Sequence, residues 1–287
     1  MNNTPALMKS LISSGDMLTV VYSEDDESEN IIPSNLPFEI VYEDEDIMVI
    51  NKPADMPVHP AINNFDNTLA NALTYYFNQK NEKLVFRCIN RLDRNTSGLL
   101  IVAKHRLAGS ILADFMKKRE IHREYIALAS GNLCKPYQSN TCISKQNDDG
   151  SFSGTINAPI GRVNESIIER FVDFENGVSA ITHFKTLKYF EDVTPYIKHT
   201  SEFLPSKSLS QNPATLISLK LDTGRTHQIR VHMAYIGHPL LGDSLYNKEP
   251  GPLNRQALHS YCIEFVHPIT LERMIFKSDS IPFLNEF

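Results

Sequence analysis

A carboxylate between two arginines is the feature of this sequence with the clearest chemical potential. Asp93 lies in segment 90–98, with Arg91 two residues before it and Arg94 directly after it. Neighbouring positive charge favours the ionised carboxylate, and an ionised, positioned carboxylate can act as a nucleophile or an electrostatic stabiliser rather than as a general acid. The same local pattern is typical of an aspartate that caps a turn and forms a surface ion pair. The segment alone leaves both a catalytic and a structural role open.

Three further segments carry short motifs of polar and charged side chains. Segment 50–60 contains Asn-Lys-Pro and ends in His-Pro. Segment 123–128 begins Arg-Glu-Tyr, with Tyr125 third. Segment 223–233 reads Thr-Gly-Arg-Thr-His-Gln-Ile-Arg-Val-His-Met, and the chain continues through 237–246 with Gly-His-Pro-Leu-Leu-Gly-Asp-Ser-Leu-Tyr. Their order along the chain matters for the comparison that follows.

These motifs resemble those of the RluA-type pseudouridine synthases, over about residues 38 to 280. Segment 91–104 is similar to the family motif written HRLD-x-x-TSGLL, and the other segments are similar to the NKP-x-G-x-x-x-HP loop, the (K/R)-x-Y strand and the third motif, in the family's order. The resemblance implies an isomerase, an intramolecular transferase that converts specific uridines of ribosomal or transfer RNA to pseudouridine. It implies an α+β (α/β) fold with a large mixed, mainly antiparallel sheet, flanking helices and a central cleft. Because the reaction involves no redox change or energy input, no cofactor is expected.

The resemblance also implies roles for individual residues. Asp93 matches the family's essential aspartate, Tyr125 the tyrosine that stacks on the target uracil, and Arg230 the basic residue that pairs with the aspartate. A buried carboxylate needs such a partner. Arg91 matches a residue expected to enter the space left by the flipped nucleotide. Substrate contacts are expected from Lys52, His59, Arg91, Arg94, Thr96, Arg225, His227 and Leu241, with the two histidines orienting loops rather than exchanging protons.

Three features depart from the family's pattern. Asn90 stands where the family usually has His, and Asp55 stands where its first loop usually has Gly. Both departures bear on loop geometry or substrate fit more than on activity. Residues 1–36 are too few for the separate RNA-binding module of many relatives, so they are expected to be an extension or a remnant of it. The catalytic domain is expected over residues 37–287.

Hydrophobic periodicity predicts the elements that position these side chains. Strands are expected at 38–42, 47–50, 84–89, 99–103, 125–129 and 216–221, and helices at 68–77, 107–116 and 226–236. A short strand is expected at 16–21, followed by a solvated acidic run at 23–30. Segments 134–154 and 193–213 are polar and are predicted to be loops or insertions.

Composition limits the class of protein. The 287 residues are 41% hydrophobic and 22% charged, which favours a substantial core over disorder. The sequence contains neither a membrane-spanning apolar run nor a signal-peptide pattern. Its four cysteines form no CxxC pair, and this favours reduced thiols in the cytoplasm. The net charge is −6, but residues 24–55 hold eleven acids and one base, whereas residues 82–125 hold ten Lys/Arg and five acids. This asymmetry predicts a basic face and an acidic back.

Two other functions remain to be weighed. A metal hydrolase would have to use the late histidines, but their spacing matches neither HExxH nor a Cys/His zinc pattern; they are His227, His232, His238, His259 and His267. A catalytically inactive RNA-binding protein derived from a synthase is the stronger rival, although it would be expected to have lost the aspartate, the tyrosine or the basic partner. We therefore expect an RNA partner, no metal, no membrane and a monomer.

Overall fold

The structure is a computed structural model, and it describes residues 2, 4–7, 9–20, 31–61, 64–163, 166, 168–198, 211–249 and 251–285. Within this part of the chain, eleven strands form one mixed sheet. Its main path runs in the order β1 (Glu39–Glu43), β2 (Ile47–Lys52), β4 (Ser97–Ala103), β12 (Leu258–Val266), β5 (His122–Ser130), β11 (Ala214–Leu221), β10 (Ile181–Phe190), β7 (Phe152–Asn157) and β6 (Cys142–Gln146). In addition, β3 (Arg87–Cys88) pairs with β4 and β13 (Arg273–Lys277) pairs with β12, while β8 (Ile160–Arg162) and β9 (Arg170–Val172) form a separate two-stranded sheet.

The helices pack on both faces of this sheet. They are α1 (Leu69–Gln79), α2 (Arg106–Lys118) and α3 (Gln228–Tyr235), with a 3₁₀ helix at Thr194–Tyr196. Side chains alternate across a strand, so Met48 and Ile50 of β2 pack in the core that contains α1 and α3, whereas Ile47 and Val49 pack in the core that contains α2. This two-sided burial explains the uninterrupted apolar runs of β2 and β4. In the described residues, none of the helices combines the length and apolar character required to cross a bilayer.

A glycine allows the start of β4 to approach β12. The two strands pair in parallel at Ser97 and Gly98, although they are about 160 residues apart in the chain. Gly98 has φ +113°, and a Cβ at this position would lie 2.3 Å from the carbonyl oxygen of Ser260. Only glycine fits this close backbone approach. The pairing places the segment that precedes β4, which contains Asp93, at the centre of the sheet.

The structure confirms most of the predicted elements and corrects three. The strand expected at 84–89 is reduced to β3, and the described residues 16–20 form no strand. The loop prediction for 134–154 is wrong in part, because β6 and the start of β7 form a hairpin at the sheet edge, where one face of each strand is exposed and polar side chains are tolerated. The acidic run at 23–30 and most of segment 193–213 lie outside the described residues.

Buried histidines predict a loss of stability in acid. Burial, assisted by the charge of Arg255, lowers the pKa of His259 to about 3 from 6.5, and burial also lowers the pKa of His232. Between the folded-state pKa of His259, about 3, and its ordinary value of 6.5, the unfolded chain binds more protons than the folded chain. The stability present above pH 6.5 is therefore lost as the pH falls. We expect His259→Gln to reduce the pH slope of the unfolding free energy below that pH by up to about 1.4 kcal/mol per unit. Urea unfolding at several pH values measures this slope, with exposed His122→Gln as control; equal slopes in His259→Gln and wild type would contradict the prediction.

Candidate active site

An open cavity of about 1090 Å³ lies where the Asp93 loop (residues 89–96), the start of β5 and the turn before α3 meet. Asp93, Tyr125, His227 and Arg230 all line it. Sites for small molecules usually enclose about 300–1,000 Å³, so this cavity is large enough for part of a polymer. The structure therefore brings together, in one place, the residues to which the motifs had assigned the chemistry.

Asp93 presents one of its carboxylate oxygens to the protein. Its side chain is 26% exposed, and Oδ2 accepts a hydrogen bond from Arg230 Nη1 at 3.2 Å. The backbone carbonyl of Asp93 accepts the Thr96 amide at 3.0 Å, which closes the turn. Among the described residues, Oδ1 accepts no hydrogen bond. The carboxylate is thus oriented through one oxygen and available through the other.

A second, fully buried carboxylate holds the arginine in place. Asp243 is 0% exposed, and its two oxygens accept from Nε and Nη2 of Arg230 at 2.8 and 2.9 Å. This bidentate contact leaves Nη1 for Asp93. Burial alone would lower the pKa of Arg230, but the hydrogen bonds and charge of Asp243, with a contribution from Asp93, raise it. The guanidinium is therefore a permanent positive charge at a defined position.

His227 completes the wall beside the carboxylate, and Tyr246 packs behind it. Nε2 of His227 lies 3.8 Å from Asp93 Oδ2, and Nδ1 lies 2.9 Å from the Tyr246 hydroxyl. The ring of Tyr246 also packs against the Arg230 guanidinium, whose central carbon is 5.0 Å from the ring centroid. Arg230 and His227 thus face the same oxygen of Asp93, and Tyr246 contacts both of them.

Tyr125 lines the cavity from the middle of the sheet. It belongs to β5, pairs with Leu219 of β11 and is 4% exposed. Burial raises the pKa of Tyr125; the Asp93 charge acts in the same direction, and Arg123 opposes it. The phenol is therefore neutral at physiological pH, and its ring is fixed by the strand.

Lys52 lies beneath the cavity rather than on its wall. Its side chain is fully buried, and the ammonium donates to the carbonyls of Pro53, Met56 and Arg94 at 2.7, 2.8 and 3.1 Å. Burial, followed by the charge of Arg255, lowers the pKa of Lys52 to about 7. Because Arg94 follows Asp93, this lysine ties the Asp93 loop to the loop after β2.

Replacing this lysine is expected to loosen the Asp93 loop. In Lys52→Met, three carbonyls lose their donor, while the penalty for burying a cation is also removed. We expect the free energy of unfolding to fall by about 2 kcal/mol. Urea unfolding measures this, with exposed Lys118→Met as a matched control expected to lose less than about 0.5 kcal/mol. Equal losses in the two variants would contradict the prediction.

The other residues expected to contact substrate divide into two groups. His59, Arg91, Thr96 and Arg225 line the cavity. Three others are not among the residues that line it. Arg94 binds Asp55 through Nε at 2.7 Å, Leu241 is buried in a separate apolar cluster, and Lys52 lies beneath the cavity.

The two departures from the family's pattern have local explanations. Asn90 is buried, and its Oδ1 accepts the Ile101 amide at 2.9 Å, which fastens the Asp93 loop to β4. Asp55 has φ +59°, a conformation for which glycine is the usual residue and which aspartate tolerates better than most. Both substitutions therefore maintain loop geometry.

The cavity wall is strongly basic. Six of its side chains are Lys or Arg and two are Asp, a local excess of four positive charges; they are Arg91, Lys117, Arg119, Arg123, Arg225, Arg230, Asp93 and Asp222. Such a concentration of positive charge attracts a polyanion despite the negative net charge of the chain.

The late histidines do not converge on a metal site in the described residues. His232 contacts Thr182 and a backbone carbonyl, His238 contacts a backbone carbonyl, and His259 contacts Ser97. They are therefore separated by the fold.

His267 lies near Asp44 and Asp46, a geometry that could hold a cation outside the cavity. Nδ1 of His267, however, accepts the amides of Ile269 and Thr270, so Nε2 carries the proton that it donates to Asp44 at 2.9 Å. A metal ion would need a lone pair on Nε2, the nitrogen that faces the carboxylates. Because that nitrogen carries a proton, the cluster fits a structural hydrogen-bond network better than a metal centre.

Two residues of the site were not predicted as functional. Asp243 and Tyr246 follow α3 in segment 237–246, which the motif comparison includes without giving them a role. A carboxylate in an apolar neighbourhood, after Gly-His-Pro-Leu-Leu-Gly, was the available signal for a buried ion pair.

Comparisons with known proteins agree with this geometry. A family model described as RNA pseudouridylate synthase matches residues 46–235. The chain is 36% identical over 277 residues to an uncharacterized RNA pseudouridine synthase, YjbO, of Bacillus subtilis, covering 96% of this chain and 84% of the relative. It is 34% identical over 270 residues to the ribosomal large subunit pseudouridine synthase D of Escherichia coli, covering 89% of this chain and 71% of the relative.

A solved structure, human RNA pseudouridylate synthase domain containing 1, superposes with a TM-score of 0.60 at 26% identity, covering 85% of this chain and 84% of that one. The family model spans β2 to α3, the part of the chain that holds Asp93, Tyr125 and Arg230. With the fold, the cavity and these relatives in agreement, the chain belongs to the RluA-type RNA pseudouridine synthases.

Proposed function

We propose that this protein isomerises uridine in ribosomal or transfer RNA to pseudouridine, with Asp93 as the catalytic carboxylate. The observation that carries the proposal is the asymmetry of Asp93: Oδ2 is held by Arg230, which is itself held by fully buried Asp243, while Oδ1 accepts no hydrogen bond among the described residues. A charged oxygen kept free beside a basic cavity is suited to react with, or stabilise, a cationic centre.

The chemistry of the conversion matches what such an oxygen can do. The bond between N1 of uracil and C1′ of ribose breaks, the uracil turns, and a bond forms between C5 and C1′. C5 loses a proton and N1 gains one, so the composition of the RNA is unchanged. Positive charge develops at C1′ when the first bond breaks, and Asp93 Oδ1 can either attack this carbon or stabilise the charge.

Tyr125 supplies a surface for the base. A uracil that enters the cavity can stack on its ring, as single-stranded bases commonly do on aromatic side chains. Because burial raises the pKa of Tyr125, the phenol acts in the neutral form, as a donor or acceptor of a hydrogen bond. Its role in the proposal is therefore to hold the base while it turns.

The basic wall fits an RNA strand from which one nucleotide has been extruded. Taking a base out of its stack requires a few kcal/mol, which contacts elsewhere must offset. Exposed Arg91 can fill the vacated space by stacking, and Lys117, Arg119 and Arg225 can contact phosphates on either side of the cavity. The named relatives that act on the large ribosomal subunit make its RNA the first substrate to test. The four free cysteines support a cytoplasmic site of action.

The proposal is tested by release of tritium. Transcripts of large-subunit ribosomal RNA and of transfer RNAs, made with uridine tritiated at C5, release the label to water when pseudouridine forms. We expect release from at least one transcript, at a defined position. Pseudouridine mapping of total RNA, from cells with and without the gene, identifies that position independently. A different result would support a catalytically inactive RNA-binding protein: the protein binds RNA but releases no label, and cells without the gene lack no pseudouridine.

A further inference from the structure

Two hydrogen bonds connect β9 to the imidazole of His227, which faces Asp93. The backbone N–H of Arg170 donates to the Tyr246 hydroxyl at 3.0 Å, and this hydroxyl lies 2.9 Å from Nδ1 of His227. On the other side of the imidazole, Nε2 lies 3.8 Å from Oδ2 of Asp93. The hydroxyl thus stands between a backbone donor and a histidine that faces the reacting group.

The arrangement of these hydrogen bonds favours one tautomer of the imidazole. The Tyr246 hydroxyl already accepts the Arg170 amide, and its own hydrogen has no acceptor among the described residues except His227 Nδ1. When the hydroxyl donates to Nδ1, that nitrogen must carry a lone pair. In the neutral ring the proton then lies on Nε2, the nitrogen that faces Asp93.

The surroundings keep the ring neutral. Burial lowers the pKa of His227; the charges of Arg230 and Arg170 act in the same direction, and those of Asp93 and Asp243 oppose them. The side chain is 10% exposed and lies on the cavity wall. His227 also has φ +57°, a conformation that non-glycine residues adopt rarely.

We propose that Tyr246 is a positioning residue that holds His227 as an Nε2–H donor aimed at Oδ2 of Asp93, so that His227 and Arg230 together orient the carboxylate. The inference rests on the proposed function for its effect on rate. The distance of 3.8 Å is longer than a hydrogen bond, and such donors in active sites often tighten only when substrate binds. The same tyrosine supports Arg230 through its ring and is tied to Asp243 through its amide at 3.2 Å, so one residue aligns both donors.

The tautomer can be measured without any assumption about activity. Long-range proton–nitrogen NMR correlations of the full-length protein, assigned with His227→Gln, distinguish the two neutral forms. We expect His227 to be protonated at Nε2 in the wild type and to become a mixture of tautomers in Tyr246→Phe, which removes the hydroxyl and keeps the ring beside Arg230. An Nδ1-protonated ring in the wild type, or a tautomer unchanged in Tyr246→Phe, would overturn the inference even if the protein is an active synthase.

The effect on catalysis is measured with the tritium-release assay under single-turnover conditions, on the transcript that the wild type modifies. We expect Tyr246→Phe to be slower by about tenfold, the effect of losing one hydrogen bond's contribution, with RNA affinity within about twofold. In a His227→Gln background the same change should cause no further loss, because the two residues act as one unit. Tyr235→Phe, whose hydroxyl contacts Thr141 and does not line the cavity, is the matched control and should react at the wild-type rate.

The outcomes separate the two proposals. Additive losses in the double variant, or a weaker RNA affinity without a slower reaction, would reject the positioning role and leave the synthase assignment intact. A wild-type protein that releases no tritium from any transcript would reject the proposed function and, with it, the catalytic part of the inference.

Discussion

Asp93→Asn is expected to abolish pseudouridine formation and to leave the fold and RNA binding almost unchanged. The amide has the shape of the carboxylate but cannot attack C1′ or balance positive charge there, so we expect the rate of tritium release to fall by about 10³-fold or more. The fold should tolerate the change because Arg230 keeps its bidentate contact with Asp243 and is not left as an unpaired buried charge. Single-turnover rates and RNA affinity, measured on the same preparations, test both parts.

The matched control is another aspartate that undergoes the same chemical change. Asp149 lies in the turn between β6 and β7, pairs with Lys185 and is half exposed, and it does not line the cavity. We expect Asp149→Asn to react at the wild-type rate. A rate for Asp93→Asn within about tenfold of the wild type would exclude Asp93 as the catalytic carboxylate, whatever the RNA substrate is.

Arg230→Met is expected to damage both stability and activity. Asp243 would remain fully buried without its cation, and breaking a buried pair in this way typically costs about 3–5 kcal/mol. Asp93 would also lose the donor that orients Oδ2. We expect urea unfolding to show this loss of free energy, and tritium release to fall by at least about a hundredfold where the variant remains folded.

A double variant separates the two effects. In Arg230→Met with Asp243→Asn, the buried negative charge is gone, while the asparagine oxygen can still accept the amides of Leu245 and Tyr246. We expect most of the lost free energy of unfolding to return but the reaction to remain slow, because nothing replaces the donor to Asp93. Recovery of activity together with stability would show that Arg230 serves only the fold.

Much of the framework follows from local patterns. The apolar runs at 47–50 and 99–103 predicted two buried strands because few other elements place every side chain in a core, and both are interior strands of the sheet. The helix predicted at 107–116 forms as α2 because its apolar positions recur at helical spacing. Edge strands lack this signal, since β6 exposes one face and reads as a polar loop.

What the sequence determined by itself was which residues are the candidates for the chemistry. Asp93 between arginines, Tyr125 in an apolar strand and Arg230 in a short helix could each be named from motif and residue type, because their chemistry is local. Which residues contact which was decided by the tertiary structure. Asp93 and Arg230 are 137 positions apart. They meet because β12, a strand from the end of the chain, joins β4 to β5, and β5 in turn pairs with β11, the strand before α3. The support from Asp243 and Tyr246, and the burial of Lys52 beneath the cavity, arise from that same long-range packing, which no local periodicity encodes.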